Sequence, residues 1–89
     1  MEITKCAAAG TMESSDAYVE IEPKEDGLEV ALESVVQAQF GDAILETVHE
    51  VLGECGVKNA RVRVVDRGAL ECVIRARVET AAMRGKGDL

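Results

Sequence analysis

Residues 17–33 read AYVEIEPKEDGLEVALE and contain two runs in which apolar and polar residues alternate. Alternation with a period of two is typical of a β-strand that has one buried and one solvated face. The segment PKEDG between the two runs has the composition of a turn. This stretch therefore predicts two antiparallel strands joined as a hairpin, with an acidic outer face.

A helical spacing of apolar residues follows the hairpin. Apolar residues recur every three to four positions from Val36 to Cys55, and Gly56 is a typical residue at a helix end. Gly41 and Asp42 leave two alternatives open, because glycine weakens a helix interior and aspartate can begin a new helix. One long helix and two shorter helices are both compatible with this segment.

Residues 61–79 repeat the alternating pattern, with arginine on the polar side. The sequence DRGA at residues 66–69 supplies a turn, so we expect a second hairpin, followed by a short helix from about Thr80. Residues 70–83 also satisfy a helical period, which leaves their type ambiguous. The arginines are expected to pair across the sheet with the glutamates of the first hairpin. These residues are Arg61, Arg63, Arg75 and Arg77, and Glu20, Glu22, Glu29 and Glu33.

Together the segments predict an α+β fold, in which two hairpins form a small antiparallel sheet that packs on one main helix. Residues 1–15 are expected to form a flexible N-terminal arm. Residues 16–84 form the single predicted domain, which ends in the short C-terminal helix. Residues 85–89 are expected to be a frayed tail, because they are polar and contain glycine.

The composition excludes several classes of function. Of the 89 residues only 2% are aromatic, so the chain lacks the stacking platforms of a nucleic-acid-binding protein. The 17 acidic residues outnumber the 10 basic ones and give a net charge of −7, which repels nucleic acid and anionic membranes and favours basic protein partners. The acidic hairpin is then a candidate docking surface. Neither a secretory signal nor a membrane-spanning segment is predicted, so we expect a cytoplasmic protein.

The sequence offers little for catalysis or for metal binding. The single histidine, His49, is predicted at the edge of the helix's apolar stripe, where structural histidines are commoner than catalytic ones. Cys6, Cys55 and Cys72 show no paired spacing, so neither a disulfide framework nor a zinc site is indicated, and mostly buried thiols are expected. We therefore predict no catalytic residue and no metal site.

The segment AGTMESSD at residues 9–16 places two adjacent serines, Ser14 and Ser15, between small residues and an acid. The residues alone allow two interpretations. The polar groups can make local turns before the first predicted strand. Alternatively, one serine is modified covalently by another enzyme, for which an exposed and conformationally loose segment is suitable.

Three motifs, AGTMESSD, QFGDAI and DRGALECVIRARVE, resemble the acyl carrier (gamma) subunit of citrate lyase, and the resemblance spans nearly the whole chain. It implies that Ser14 carries 2'-(5''-phosphoribosyl)-3'-dephospho-CoA, a thiol-ended prosthetic group, through a phosphodiester. Ser15 stands where this family usually has glycine and is the minor alternative for attachment. The D-S-L motif of the four-helix acyl carriers is absent.

The resemblance also implies partners. A transferase would attach the group, and an acetate ligase would acetylate its thiol. The alpha (acyl transferase) and beta (citryl lyase) subunits of citrate lyase would act on the acetyl and citryl thioesters as citrate is cleaved to oxaloacetate and acetate. The chain would then be a non-catalytic carrier. The alternatives are the related delta subunit of malonate decarboxylase and an acidic interaction module without a prosthetic group.

Overall fold

The computed structural model describes residues 1–87, except for the side chain of Gln37. The elements in chain order are β1 (Ala7–Gly10), β2 (Ala17–Pro23), β3 (Leu28–Ser34), α1 (Gln37–Glu54), β4 (Ala60–Asp66) and α2 (Glu71–Gly85). The strands form one mixed sheet in the order β1-β2-β4-β3, and the two helices pack against it and against each other. The predicted α+β class is confirmed.

The strand pairing differs from the first predicted hairpin. Strand β4 lies between β2 and β3, antiparallel to β2 and parallel to β3. This order places Arg61 between Glu22 of β2 and Glu29 of β3. A direct pairing of β2 with β3 would bring two rows of glutamates side by side, and facing like charges destabilise a sheet. The charge pattern therefore explains why β4 separates the two acidic strands.

The second predicted hairpin is not formed, because residues 71–85 are the helix α2. Cys72 and Ala76, which a strand would have turned inward, are exposed. The buried residues of α2 are Ile74, Val78, Ala81, Ala82 and Gly85. These follow a helical period, and the alanine- and arginine-rich composition favours helix over strand. The short helix expected from about Thr80 is thus the second half of a longer one.

Much of the predicted N-terminal arm belongs to the domain. Strand β1 pairs antiparallel with β2, Ile3 is buried in the core, and the amino group of Met1 donates a hydrogen bond of 2.9 Å to the carbonyl oxygen of Gly56. Strand β1 was not predicted from the sequence, because it consists of alanine and glycine, which have low β propensity. At the predicted tail 85–89, Gly85 is buried at the end of α2, and residues 88–89 lie outside the described residues.

Helix α1 runs without interruption from Gln37 to Glu54, so the first of the two alternatives at Gly41 is correct. Its apolar side meets that of α2 over the sheet, and the core between them is aliphatic. The largest fully buried side chains in this core include Val19, Ile21, Val48, Val51, Leu52, Val62, Val64 and Val78. Neither described helix is both long enough and apolar enough to cross a membrane.

Candidate functional site

The two serines lie in the loop that joins β1 to β2, residues 11–16, here called the serine loop. The loop lies at the end of the sheet where β2 begins and where β3 and β4 end, because Ala17 pairs with Asp66 and Asp66 pairs with Ser34. The loops 35–36 and 67–70, which lead into the two helices, therefore lie beside it. We call these three loops together the serine end of the domain.

Ser14 occupies the second position of a β-turn. The amide of Asp16 donates a hydrogen bond of 3.1 Å to the carbonyl oxygen of Glu13, which closes the turn. Ser15, at the third position, has a φ of 66° and is the only described non-glycine residue with a positive φ. A positive φ at this position is typical of type II turns, which favour glycine there. Ser14 is thus an exposed corner residue, and its hydroxyl makes no hydrogen bond within the described residues.

Replacing Ser15 with glycine is expected to stabilise the domain. The left-handed conformation costs a residue with a side chain about 1–2 kcal/mol, partly offset by the greater freedom of glycine in the unfolded chain. The free energy of unfolding, measured by urea denaturation, should therefore rise by about 0.5–1 kcal/mol. Ser15→Ala is the control, because it removes the same hydroxyl but keeps the strain. Equal stability of the two variants would contradict a strained turn.

Asp16 fixes the serine loop to the rest of the domain. Its carboxylate accepts hydrogen bonds of 2.7 Å from the hydroxyl of Thr11 and 2.7 Å from the amide of Ala17. It also accepts two from the guanidinium of Arg77 in α2, at 3.0 and 3.1 Å. These donors, Arg77 first among them, hold the pKa of Asp16 well below its usual range. The segment at the serines, expected to be loose, is therefore tied to α2 by hydrogen bonds.

The backbone of the serine loop is also tied to the loop after β4. The amide of Ser15 donates a hydrogen bond of 2.8 Å to the carbonyl oxygen of Arg67, and the amide of Arg67 donates one of 2.9 Å to the carbonyl oxygen of Asp16. The local turns expected from the polar residues of this segment are therefore present. What the sequence did not indicate is that they are anchored to a distant part of the chain.

A buried carboxylate, Asp66, holds the other two loops of the serine end together. It accepts hydrogen bonds from the hydroxyl of Ser34 at 2.8 Å and from the amides of Gly68 and Ala69 at 3.2 and 2.9 Å. Its own carbonyl oxygen accepts a hydrogen bond of 3.2 Å from the amide of Val35. The serine end is thus one hydrogen-bonded unit rather than three independent loops.

Replacing Asp16 with asparagine is expected to destabilise the domain by an amount that declines in acid. The paired carboxylate of the wild type contributes stability above the ordinary pKa of 3.8 and loses it as the pH falls toward the depressed folded-state pKa. The difference in unfolding free energy between wild type and Asp16→Asn should therefore decrease from about pH 5 to about pH 2 in urea titrations. Asp42→Asn, at an exposed carboxylate without an ion pair among the described residues, is the control. A difference for Asp16→Asn that stays constant with pH would contradict the pairing.

The predicted cross-sheet ion pairs are confirmed for two of the four arginines. The pairs are Arg61–Glu22 at 2.8 Å, Arg61–Glu29 at 3.0 Å and Arg63–Glu20 at 2.8 Å. Arg75 and Arg77 lie on α2 instead, so Arg75 pairs with Glu50 and Glu54 of α1 and Arg77 with Asp16. Three of the four glutamates of the expected acidic face are thus neutralised by neighbours, which weakens that face as a docking surface.

The remaining candidate residues are not part of the serine end. His49 is exposed on α1 and makes no hydrogen bond or ion pair within the described residues. The expectation of mostly buried thiols is wrong, because Cys6 and Cys72 are exposed. Cys55 is partly buried, and burial, followed by the carboxylates of Glu79 and Glu54, raises the pKa of its thiol.

Comparison of the sequence with known proteins gives two kinds of match, a family model and similar full-length sequences. A family model described as malonate decarboxylase delta subunit (MdcD) matches residues 4–85. The citrate lyase acyl carrier protein of Haemophilus influenzae strain PittEE is 54% identical over 88 residues, which are 99% of this chain and 92% of the relative. The protein of the same name from Escherichia fergusonii is 54% identical over 85 residues, which are 94% of this chain and 88% of the relative.

The fold is similar to that of a chain in the crystal structure of a Pseudomonas malonate decarboxylase hetero-tetramer in complex with malonate. The TM-score is 0.63, and the match covers 90% of this chain and 82% of the other. The sequence identity is 22%, so the likeness concerns the fold alone.

Proposed function

Because the chain belongs to the family of citrate lyase acyl carrier proteins, we propose that it carries a covalent prosthetic group on Ser14 for the catalytic subunits of a citrate lyase complex. The observation that carries the proposal is the exposed corner hydroxyl of Ser14, which no described residue engages. An attachment site needs such a hydroxyl, because a transferase must reach it. The group, once attached, must also extend away from the carrier's own surface.

The residues around Ser14 fit 2'-(5''-phosphoribosyl)-3'-dephospho-CoA attached through a phosphodiester. Ser14 is exposed to solvent, and no side chain within the described part of the chain hydrogen-bonds to its hydroxyl. When bound, the group supplies a terminal thiol on which acyl groups are transferred. The protein's part is to anchor this group at Ser14 and, through Asp16 and Arg77, to hold the anchor in one position relative to the domain.

Ser14 rather than Ser15 is the proposed anchor. Ser15 supplies the positive φ of the turn, and its amide is bonded to the loop after β4. Glycine, the usual family residue at this position, satisfies both requirements without a hydroxyl. The role of residue 15 is therefore conformational, and the hydroxyl of Ser15 is incidental to attachment.

In this proposal the chain is a non-catalytic subunit that works in the cytoplasm. Its partners are the alpha and beta subunits of citrate lyase, a prosthetic-group transferase and an acetate ligase, with acetyl and citryl groups held as thioesters during citrate cleavage. Covalent attachment replaces a diffusing coenzyme with a high effective concentration at both active sites. A carrier subunit of malonate decarboxylase is the second candidate, favoured by the description of the matching family model.

Reconstitution tests the proposal and separates the two candidates. The chain is co-expressed with the loading enzymes, purified, and added to purified alpha and beta subunits of citrate lyase or to the catalytic subunits of malonate decarboxylase. We expect the loaded chain to restore citrate cleavage, measured as oxaloacetate formation, and the unloaded chain not to do so. Restoration of malonate decarboxylation alone would favour the second candidate. Restoration of neither reaction by a loaded chain would contradict both.

A further inference from the structure

We propose that the serine end is a docking face for an enzyme surface that is apolar at its centre and basic at its rim, around the entrance through which the group on Ser14 reaches an active site. This inference rests on the proposed function and names the surface that the function uses. The large apolar side chains exposed at the serine end and on the adjoining first turn of α1 are Met12 (45%), Val35 (64%), Phe40 (53%) and Leu70 (71%).

These four side chains belong to the three loops of the serine end and to the first turn of α1. Met12 lies in the serine loop, Val35 directly follows β3, and Leu70 directly precedes α2. Outside this end, Met1 and Met83 are the other large apolar residues counted as exposed in the described chain. Exposed apolar residues scattered singly need no explanation, whereas contiguous apolar patches mark interaction sites.

A groove joins the apolar residues of α1 to the loop before α2. It has a volume of about 310 Å³, and Phe40 and Ala69 line its two sides. Its floor includes Ile44 and Ile74, and Glu71 stands at its margin. The exposed side chain of Phe40 thus borders a concave apolar surface into which a partner's side chain could insert, and Leu70 lies next in the chain to the lining residues Ala69 and Glu71.

The charges around this surface favour a basic rim on the partner. Three exposed carboxylates lie on the same elements, those of Glu13 in the serine loop, Asp42 in α1 and Glu71 at the start of α2. None has an ion pair within the described residues, and Arg67 is the one exposed cation on these loops. The cross-sheet glutamates, in contrast, are mostly neutralised by arginines. Part of the domain's unpaired negative charge therefore lies on the elements that carry the exposed apolar side chains.

The position of Ser14 selects an enzyme as the occupant. A group attached at this corner extends from the serine end, so an enzyme that receives it must approach this end and must contact the loops that flank the serine. Because Asp16 and Arg77 fix the turn to α2, docking of these loops also sets the point from which the attached group enters. The exposed apolar side chains, the carboxylates and the fixed turn would then all take part in the same contact with the enzyme.

Binding measurements with single substitutions test this inference. The variants are Phe40→Ser and Leu70→Ser, which alter side chains more than half exposed, and the control is Met83→Ser near the far end of α2. Serine at position 70 also suits the residue before a helix, so this variant should keep its fold. Affinity of the unloaded chain for the purified alpha and beta subunits of citrate lyase is measured by calorimetry, and folding is checked by circular dichroism.

We expect Phe40→Ser and Leu70→Ser each to raise the Kd for at least one subunit by about tenfold, as for central apolar contacts, and Met83→Ser to leave it unchanged. Higher salt should weaken wild-type binding. Wild-type affinity in both serine-end variants, or binding that strengthens with salt, would overturn the inference even if Ser14 is loaded. Light scattering of the chain alone is the last check, because a dimer abolished by the same substitutions would assign the face to a second copy and overturn it too.

Discussion

Replacing Ser14 with alanine is expected to abolish citrate cleavage by the reconstituted complex while leaving the fold intact. The change removes the one hydroxyl at the corner of the turn, and it disturbs no described hydrogen bond of the domain. Oxaloacetate formation should fall to the level seen without the carrier, and the intact mass should show no adduct. The thermal midpoint should match that of the wild type, because an exposed serine contributes little to stability.

The matched control for this experiment is the neighbouring hydroxyl. Ser15→Ala removes the hydroxyl of another exposed serine one residue away and should retain both the adduct and the activity. Loss of loading in Ser15→Ala with full loading in Ser14→Ala would move the attachment to the minor alternative. Full citrate cleavage by complexes that contain Ser14→Ala, and also by complexes that contain the variant with both serines replaced by alanine, would contradict a serine-bound carrier altogether.

Replacing Gly10 with alanine is expected to destabilise the domain strongly. Gly10 has a φ of 93°, and a Cβ atom there would collide with the carbonyl oxygen of Ala17 and lie 3.1 Å from Cδ of Arg77. The first contact is with backbone, which cannot move without breaking the pairing of β1 with β2. The free energy of unfolding should fall by about 2 kcal/mol or more, combining backbone strain with the clash.

Gly27 provides the control that separates the clash from the strain. Its φ of 82° is similar, but nothing lies within 4 Å of the position that a Cβ would take. Gly27→Ala should therefore lose only about 1 kcal/mol, the cost of the left-handed conformation. In a domain of this size 1 kcal/mol corresponds to a change of roughly 4–8 °C in Tm, so thermal unfolding distinguishes the two variants. Equal losses would show that no close approach exists at the start of the serine loop.

The sequence predicts local elements of this fold better than their arrangement. The alternation in β2, β3 and β4 and the helical spacing of α1 are local patterns, and all four elements are present. The insertion of β4 between β2 and β3 depends on charges 32 to 43 positions apart in the chain, such as those of Arg61 and Glu29. The residue pattern along the chain indicates which strands have an acidic or a basic face, but it does not specify which strands are neighbours in the sheet.

Two errors have a common physical origin, which is that small residues carry weak signals. β1 consists of alanine and glycine, so neither its propensity nor its alternation distinguishes it from a flexible arm. In α2 the alanines at positions 81 and 82 are buried, but the periods of strand and helix coincide at several earlier positions. Packing against the rest of the domain decides both cases, and packing is not visible in a short window of sequence.

The motif in the sequence indicated which residues form the candidate site, but it did not indicate the geometry of the site. The segment AGTMESSD indicated Ser14, and the family glycine at position 15 indicated a residue that tolerates positive φ, which Ser15 adopts. The anchoring of Asp16 by Arg77 joins residues 61 positions apart and depends on α2 being a helix. The segment that the sequence indicated as loose is therefore a turn that is hydrogen-bonded to α2.

Tandem mass spectrometry of one peptide tests the central claim most directly. Trypsin cleavage after Lys5 and Lys24 releases residues 6–24, which contain both serines. The chain is isolated from cells that also express the loading enzymes and an active lyase, and fragmentation between residues 14 and 15 locates any adduct. We predict an adduct that contains phosphate, adenine and a thiol on Ser14. An unmodified peptide from cells with citrate lyase activity dependent on this chain would contradict the account.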